Sequence, residues 1–145
     1  MTTVGVIGLG YVGLPLAVAF AQEGCDVIAV DVDARKVEAI AAGDSYIGDV
    51  SDEALQAVAG SIRAGTDYRA LSGADAVLVC VPTPLTRNRE PDLGPLIDAT
   101  RSLARVLRAE QLVVLESTTY PGTTRERMAP LLEESGLAAG HPLAR

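Results

Sequence analysis

The string Gly8-Leu9-Gly10-Tyr11-Val12-Gly13 sits between a β-branched run, Thr3 to Ile7, and a segment of helical period. Three glycines at this spacing, leaving a strand and opening a helix, restrict the chain to few folds. The first permits a tight turn, the second lets a ligand approach the backbone, and the third lets the helix lie close to the sheet. A second strand, Cys25 to Val30, ends in an acid, Asp31, about 20 residues on, as the dinucleotide fingerprint requires. Gly8, Gly10 and Gly13 alone would mark ordinary turns. In this context they predict a βαβ unit that holds a pyrophosphate against the free N–H groups of a helix start.

The rest of the chain alternates in the same way. Val12, Leu16, Ala19 and Phe20 are expected on the inner face of the first helix, with Gly24 as its stop. Asp33 caps a second helix carrying Val37, Ile40 and Ala41 inward and closed by Gly43. Residues 44–73 are less legible: Ala54, Leu55 and Val58 suggest a helix, and Ala64 to Thr66 a short edge strand. Ala76 to Val81 reads as a strand buried on both faces. A helix begun by Pro95 turns Leu96, Leu103 and Leu107 inward, and Leu112 to Leu115 is the next strand. Thr123 and Glu126 have capping-box spacing for a last helix with Met128, Leu131 and Leu132 inward and its exit at Gly136. The predicted fold is α/β, a doubly wound parallel sheet with helices on both faces and its chemistry at the strand C-termini.

Composition agrees and excludes several functions. The 145 residues are 48% hydrophobic with one Phe, four Tyr and no Trp, so the core is aliphatic, as suits parallel strands. A net charge of −7 offers no field for nucleic acid. Cys25 and Cys80 make neither a metal spacing nor a disulfide framework, and are expected as buried, reduced thiols. The apolar stretch Val4 to Ala21 has no basic residue before it and is interrupted by Gly5, Gly8, Gly10, Gly13 and Pro15, against both a signal peptide and a membrane span. No membrane partner and a cytoplasmic location are expected.

Asp31 would accept hydrogen bonds from the adenosine ribose and repel the extra phosphate of NADP, which makes NAD the expected cofactor. Two further strand ends are rich in hydroxyls. Thr83 lies between Pro82 and Pro84, and Ser117, Thr118 and Thr119 follow Glu116. Two roles are open for these groups, cofactor contact or turn stabilisation. His141, the single histidine, lies near the terminus and is given no role, and Glu116 is left unassigned.

Together Gly8 to Ala17, Val81-Pro82-Thr83-Pro84-Leu85, Glu90-Pro91-Asp92-Leu93 and Glu116 to Thr124 resemble the nucleotide-sugar 6-dehydrogenases of the UDP-glucose/GDP-mannose dehydrogenase family. The resemblance spans nearly the whole chain and implies a Rossmann-like domain. It implies oxidation of a sugar C6 alcohol to a carboxylate with two NAD and no metal, through a cysteine thioester. By position, Tyr11 and Val12 would line the pyrophosphate turn, Asp31 and Lys36 would hold the adenosine ribose, and Thr83, Ser117 and Thr118 would contact NAD. Thr118 would also orient water or stabilise the oxyanion at the reacting carbon. The loop Leu85 to Asp92, with Tyr120, is more similar to members acting on UDP-N-acetylhexosamines than to those acting on UDP-glucose.

Family members continue past the counterpart of Gly136 to Gly140 into segments bearing catalytic glutamates and then a lysine, an asparagine and the nucleophilic cysteine. Residues 1–145 are therefore expected to be the NAD-binding domain, truncated at its C-terminal end, with the central and UDP-sugar domains absent, inactive alone and part of a homo-oligomer. A stand-alone NAD-binding module is the alternative. A hydroxy-acid dehydrogenase sharing only the cofactor half fits the Glu116 to Thr124 motif poorly.

Overall fold

In the computed structural model, which describes residues 2–116 and 127–136, five strands form one parallel sheet. They are β1 (Thr3–Ile7), β2 (Asp26–Val30), β3 (Ile62–Gly65), β4 (Ala76–Val79) and β5 (Leu112–Leu115), in the order β3-β2-β1-β4-β5. The helices are α1 (Gly13–Gln22), α2 (Ala34–Ala42), α3 (Asp52–Ala57), α4 (Gly94–Ala104) and α5 (Ala129–Glu133). The path runs outward from β1 to β3, then returns to the other side of β1 at β4. A crevice therefore opens where β1 and β4 end side by side, the position at which open α/β sheets bind ligands.

Strict alternation along each strand sorts the core into two layers. Val4, Val6, Val27, Ala29, Leu78 and Cys80 face α1, α2 and α3, whereas Ile7, Ile28, Val30, Val77 and Val79 face α4 and Met128 beside α5. Both faces are covered, which is why these strands read as continuous apolar runs. Gly5 makes room in the second layer, since a Cβ there would come within 2.7 Å of Leu71.

Helix ends follow local chemistry. The Asp33 carboxylate accepts from the Arg35 N–H at the start of α2, and Gly43 takes a left-handed φ of 76° at its end. Ser51 caps α3 by accepting from Ala54 N. At the opposite end of the strands from the crevice, Arg108 donates to the carbonyls of Ser72 and Ala74, and Gln111 to those of Leu71 and Ala74. These bonds tie the turn before β4 to the turn before β5.

The structure corrects several expectations. The buried side of α1 is Leu14, Ala17, Val18 and Ala21. Val12 and Ala19 are exposed, and Leu16 and Phe20 pack only partly. The helix is apolar on nearly every side, so its period does not select a face. In α2 only Ile40 is buried, and Ala41 is exposed. β2 starts one residue later than expected, and β4 stops at Val79, where its partners β1 and β5 end at Ile7 and Leu115. Leu107 lies beyond α4 but still packs on the second layer. The short edge strand and the helix around Leu55 are present as β3 and α3. The Thr123/Glu126 capping box and His141 lie outside the described residues.

Candidate functional site: the glycine turn and Asp31

Gly8 leaves β1 with φ +91°, its N–H donating to Val30 O at 2.8 Å. A Cβ on Gly8 would come within 2.8 Å of the Cys80 carbonyl. A Cβ on Gly13 would run into the Gly8 carbonyl. These two glycines let turn, helix and β4 interlock at backbone contact. Gly10 differs: a Cβ there would meet nothing within 4 Å, so its backbone faces open space.

The turn is held from outside by Asp31, which is 8% exposed at the end of β2. Its Oδ2 accepts from Leu9 N at 2.8 Å and its Oδ1 from Asp33 N at 2.8 Å. A carboxylate has about four acceptor positions, so two remain for ligand hydroxyls. Lys36 Nζ lies 3.9 Å from Asp31 Oδ2. The side-chain hydrogen bond from Arg35, and then its backbone N–H, hold the Asp33 carboxyl below the usual carboxylate range.

α1 begins without a side-chain cap and without an acid in its first turn. Among the described residues, the N–H groups of Gly10, Tyr11, Val12 and Gly13 find no partner. Uncapped N–H groups beside open backbone at Gly10 suit an anion held by main-chain donors. Tyr11 is 82% exposed and Val12 46% exposed, next to Gly10 in the turn. The open space over Gly10 and the acid locked to the turn fit a dinucleotide.

Thr83 is half-buried on the neighbouring loop after β4. Beyond it the chain folds back through a Leu85–Pro91 bridge, with Thr86 N donating to Glu90 O and Asp92 N to Pro84 O. Ser117 and Thr118 lie outside the described residues. The structure thus brings Gly8, Gly10, Tyr11, Val12, Gly13, Asp31 and Lys36 together around one turn.

Sequence reasoning missed Leu9 and Tyr46. Leu9 is fully buried, and Tyr46 donates its hydroxyl to Leu9 O at 2.6 Å. No local pattern announces this contact, because 37 residues separate the partners. Burial, with Asp31 and then Asp33 nearby, pushes the Tyr46 phenol up and keeps it a donor.

The sequence profile of the UDP-glucose/GDP-mannose dehydrogenase family, NAD binding domain, matches residues 2–141. The chain belongs to this family. It is similar to the UDP-N-acetyl-D-mannosamine dehydrogenase of Escherichia coli K12, 44% identical over 135 residues, covering 91% of this chain and 31% of that protein. It is also similar to the UDP-N-acetyl-D-glucosamine 6-dehydrogenase of Pseudomonas aeruginosa, 38% identical and covering 92% of this chain and 32% of that one. Among solved structures, UDP-D-ManNAc dehydrogenase from Pyrococcus horikoshii superposes with a TM-score of 0.88 at 38% identity, covering 96% of this chain and 34% of that one. A ternary complex of GDP-mannose dehydrogenase from Pseudomonas aeruginosa gives 0.88 at 34% identity, over 94% and 33%. The chain spans about a third of the length of these relatives. As a member of the family's NAD-binding domain, it has NAD as its cofactor. Among the described residues, no helix is long and apolar enough to cross a membrane.

Proposed function

We propose that this chain is the cofactor-holding part, residues 1–145, of a longer nucleotide-sugar 6-dehydrogenase. The complete enzyme would oxidise the C6 alcohol of a UDP-sugar to the uronic acid with two NAD. The observation that carries this reading is the bond from Leu9 N to a buried Asp31, which locks the ribose-binding acid to the pyrophosphate turn within a chain of this family. The similarity to UDP-N-acetyl-D-mannosamine and UDP-N-acetyl-D-glucosamine dehydrogenases supports a UDP-N-acetylhexosamine substrate over UDP-glucose.

Each residue has a task in this reading. The N–H groups of Gly10, Tyr11, Val12 and Gly13 receive the pyrophosphate, and Gly8 and Gly13 hold the turn that aims them. Asp31 accepts from the ribose hydroxyls and opposes a 2′-phosphate, while Lys36 approaches the ribose from α2. Thr83 and Ser117 contact the cofactor further along. Thr118 contacts it too and stabilises charge at the reacting carbon. When bound, NAD supplies the acceptor for the sugar's hydride. The nucleophile and proton-transfer groups would belong to the rest of the complete polypeptide; Cys80, packed beneath the turn, is not placed to serve as the nucleophile.

The free thiols Cys25 and Cys80 support a cytoplasmic setting. The half-buried strand β5, with Leu112 43% exposed, supports association into a homo-oligomer.

Two measurements test the proposal. Calorimetry on this chain should show NAD binding and at least about tenfold weaker binding of NADP, as expected for an uncompensated 2′-phosphate beside a carboxylate. The complete polypeptide should release NADH with UDP-N-acetylhexosamines faster than with UDP-glucose. NADP binding as tight as NAD, or no NADH release with any UDP-sugar, would overturn it.

A further inference from the structure

Leu9 is held on both sides of its residue by partners distant in sequence. Its N–H donates to Asp31 Oδ2 at 2.8 Å, and its carbonyl accepts from Tyr46 Oη at 2.6 Å. Asp31 and Tyr46 are themselves joined through Lys36, whose Nζ lies 3.9 Å from Asp31 Oδ2 and 6.0 Å from the centre of the Tyr46 ring. The result is a closed circuit of four residues around the second position of the glycine turn. The Tyr46 ring, half-buried, packs against the core layer beneath α1, so its hydroxyl is delivered from a fixed base.

The carbonyl of Leu9 belongs to the same planar peptide as the N–H of Gly10. The protein has no cis peptide among the described residues, so the two groups point in opposite directions from that plane. A bond that pins the Leu9 oxygen toward Tyr46 therefore turns the Gly10 N–H away from the core. That N–H finds no partner among the described residues, and it belongs to the residue whose backbone faces open space.

We propose that Tyr46 is a positioning residue for the cofactor: its hydroxyl sets the Leu9–Gly10 peptide so that the Gly10 N–H faces the pyrophosphate, with Lys36 seated over its ring beside Asp31. The proposal rests on the cofactor assignment above and adds to it a residue outside the glycine motif.

Tyr46→Phe keeps the ring, its packing and the seat for Lys36, and removes only the 2.6 Å bond. In calorimetry on this chain, NAD and ADP-ribose should bind the Phe variant about tenfold more weakly, the scale of one lost hydrogen bond. Adenosine, which lacks the pyrophosphate and still meets Asp31 and Lys36, should bind within about twofold of the parent when followed by NMR titration. Leu103→Val in the opposite core layer serves as a control that lowers Tm and leaves NAD affinity unchanged. NAD binding equal to the parent's would overturn the proposal. So would an equal loss for adenosine and NAD, or failure of the Phe variant to fold, since each places the hydroxyl in the general framework. Absence of NAD binding by the parent would instead overturn the reading on which the proposal rests.

Discussion

The two loops that border the crevice are built on different principles. At the end of β1, the turn is fixed by contacts from afar: Asp31 on the Leu9 N–H, Tyr46 on the Leu9 carbonyl, Val30 on the Gly8 N–H, and the Cys80 backbone against Gly8. At the end of β4, the segment from Pro84 to Asp92 is closed by local bonds. Thr86 with Glu90, Arg89 with Thr86, and Asp92 with Pro84 close it on itself, while Leu85 is 66% exposed and Arg89 has a φ of 59°. The first loop is held by residues from across the domain, and the Pro84–Asp92 segment is closed by its own few residues. On the proposed assignment, binding geometry is thus pre-set at the pyrophosphate, where rigid donors matter most. A change at the interlocked positions Gly8 and Gly13 should be felt by fold and ligand together.

Gly13→Ala should break that loop most severely. The new methyl would meet the Gly8 carbonyl, and Gly8 cannot retreat, because its own backbone lies against Cys80. Overpacking of this kind costs about 1–3 kcal/mol of stability. NAD affinity should fall roughly 100-fold, equivalent to about 2.8 kcal/mol. Thermal unfolding and calorimetry on the same sample check both. If NAD still bound as in the parent, the turn would be as adaptable as the loop after β4, and the contrast would fail.

Gly10→Ala separates the two consequences. Its Cβ would meet no protein atom within 4 Å, so the Tm should stay within about a degree of the parent's. On the proposed assignment the methyl would nevertheless occupy the ligand's space, and NAD should bind about tenfold more weakly. A fall in Tm matching that of Gly13→Ala would show that the two glycines do the same work.

This division also explains what could be read from the chain. Gly8, Gly10, Gly13, Asp31, Asp33 and Gly43 were legible because each carries a local sequence signature: a glycine spacing after a strand, an acid at a strand end, a helix cap. Tyr46 was not, because its task is to bridge 37 residues, and the segment around it has no period to place it. The inner face of α1 was misplaced for another reason. Leu14, Leu16, Val18, Phe20 and Ala21 surround the helix with apolar side chains, so only the packed sheet decides which are covered. The hydroxyls of Ser117 and Thr118 were identified by motif and lie outside the described residues.

The thiol beneath the turn gives the smallest effect and a test independent of any ligand. Cys80 is 7% exposed, and burial, with Glu116 adding a smaller contribution, pushes its pKa up to about 12. In the unfolded chain it titrates near the ordinary 8.5. Between those values the native state keeps a proton that the unfolded state has released. Stability is therefore insensitive to this group below about pH 8 and declines as pH rises, by at most about 1.4 kcal/mol per unit. Tyr46, also raised, joins only where an unfolded tyrosine begins to ionise, near pH 10. Urea midpoints at pH 7.5, 8.5 and 9.5, within roughly that window, should consequently fall in the parent and fall less in Cys80→Ala, which keeps the neighbouring backbone contacts. Parallel slopes in the two proteins would mean that the thiol reaches solvent, and that the underside of the glycine turn is as open as the loop after β4.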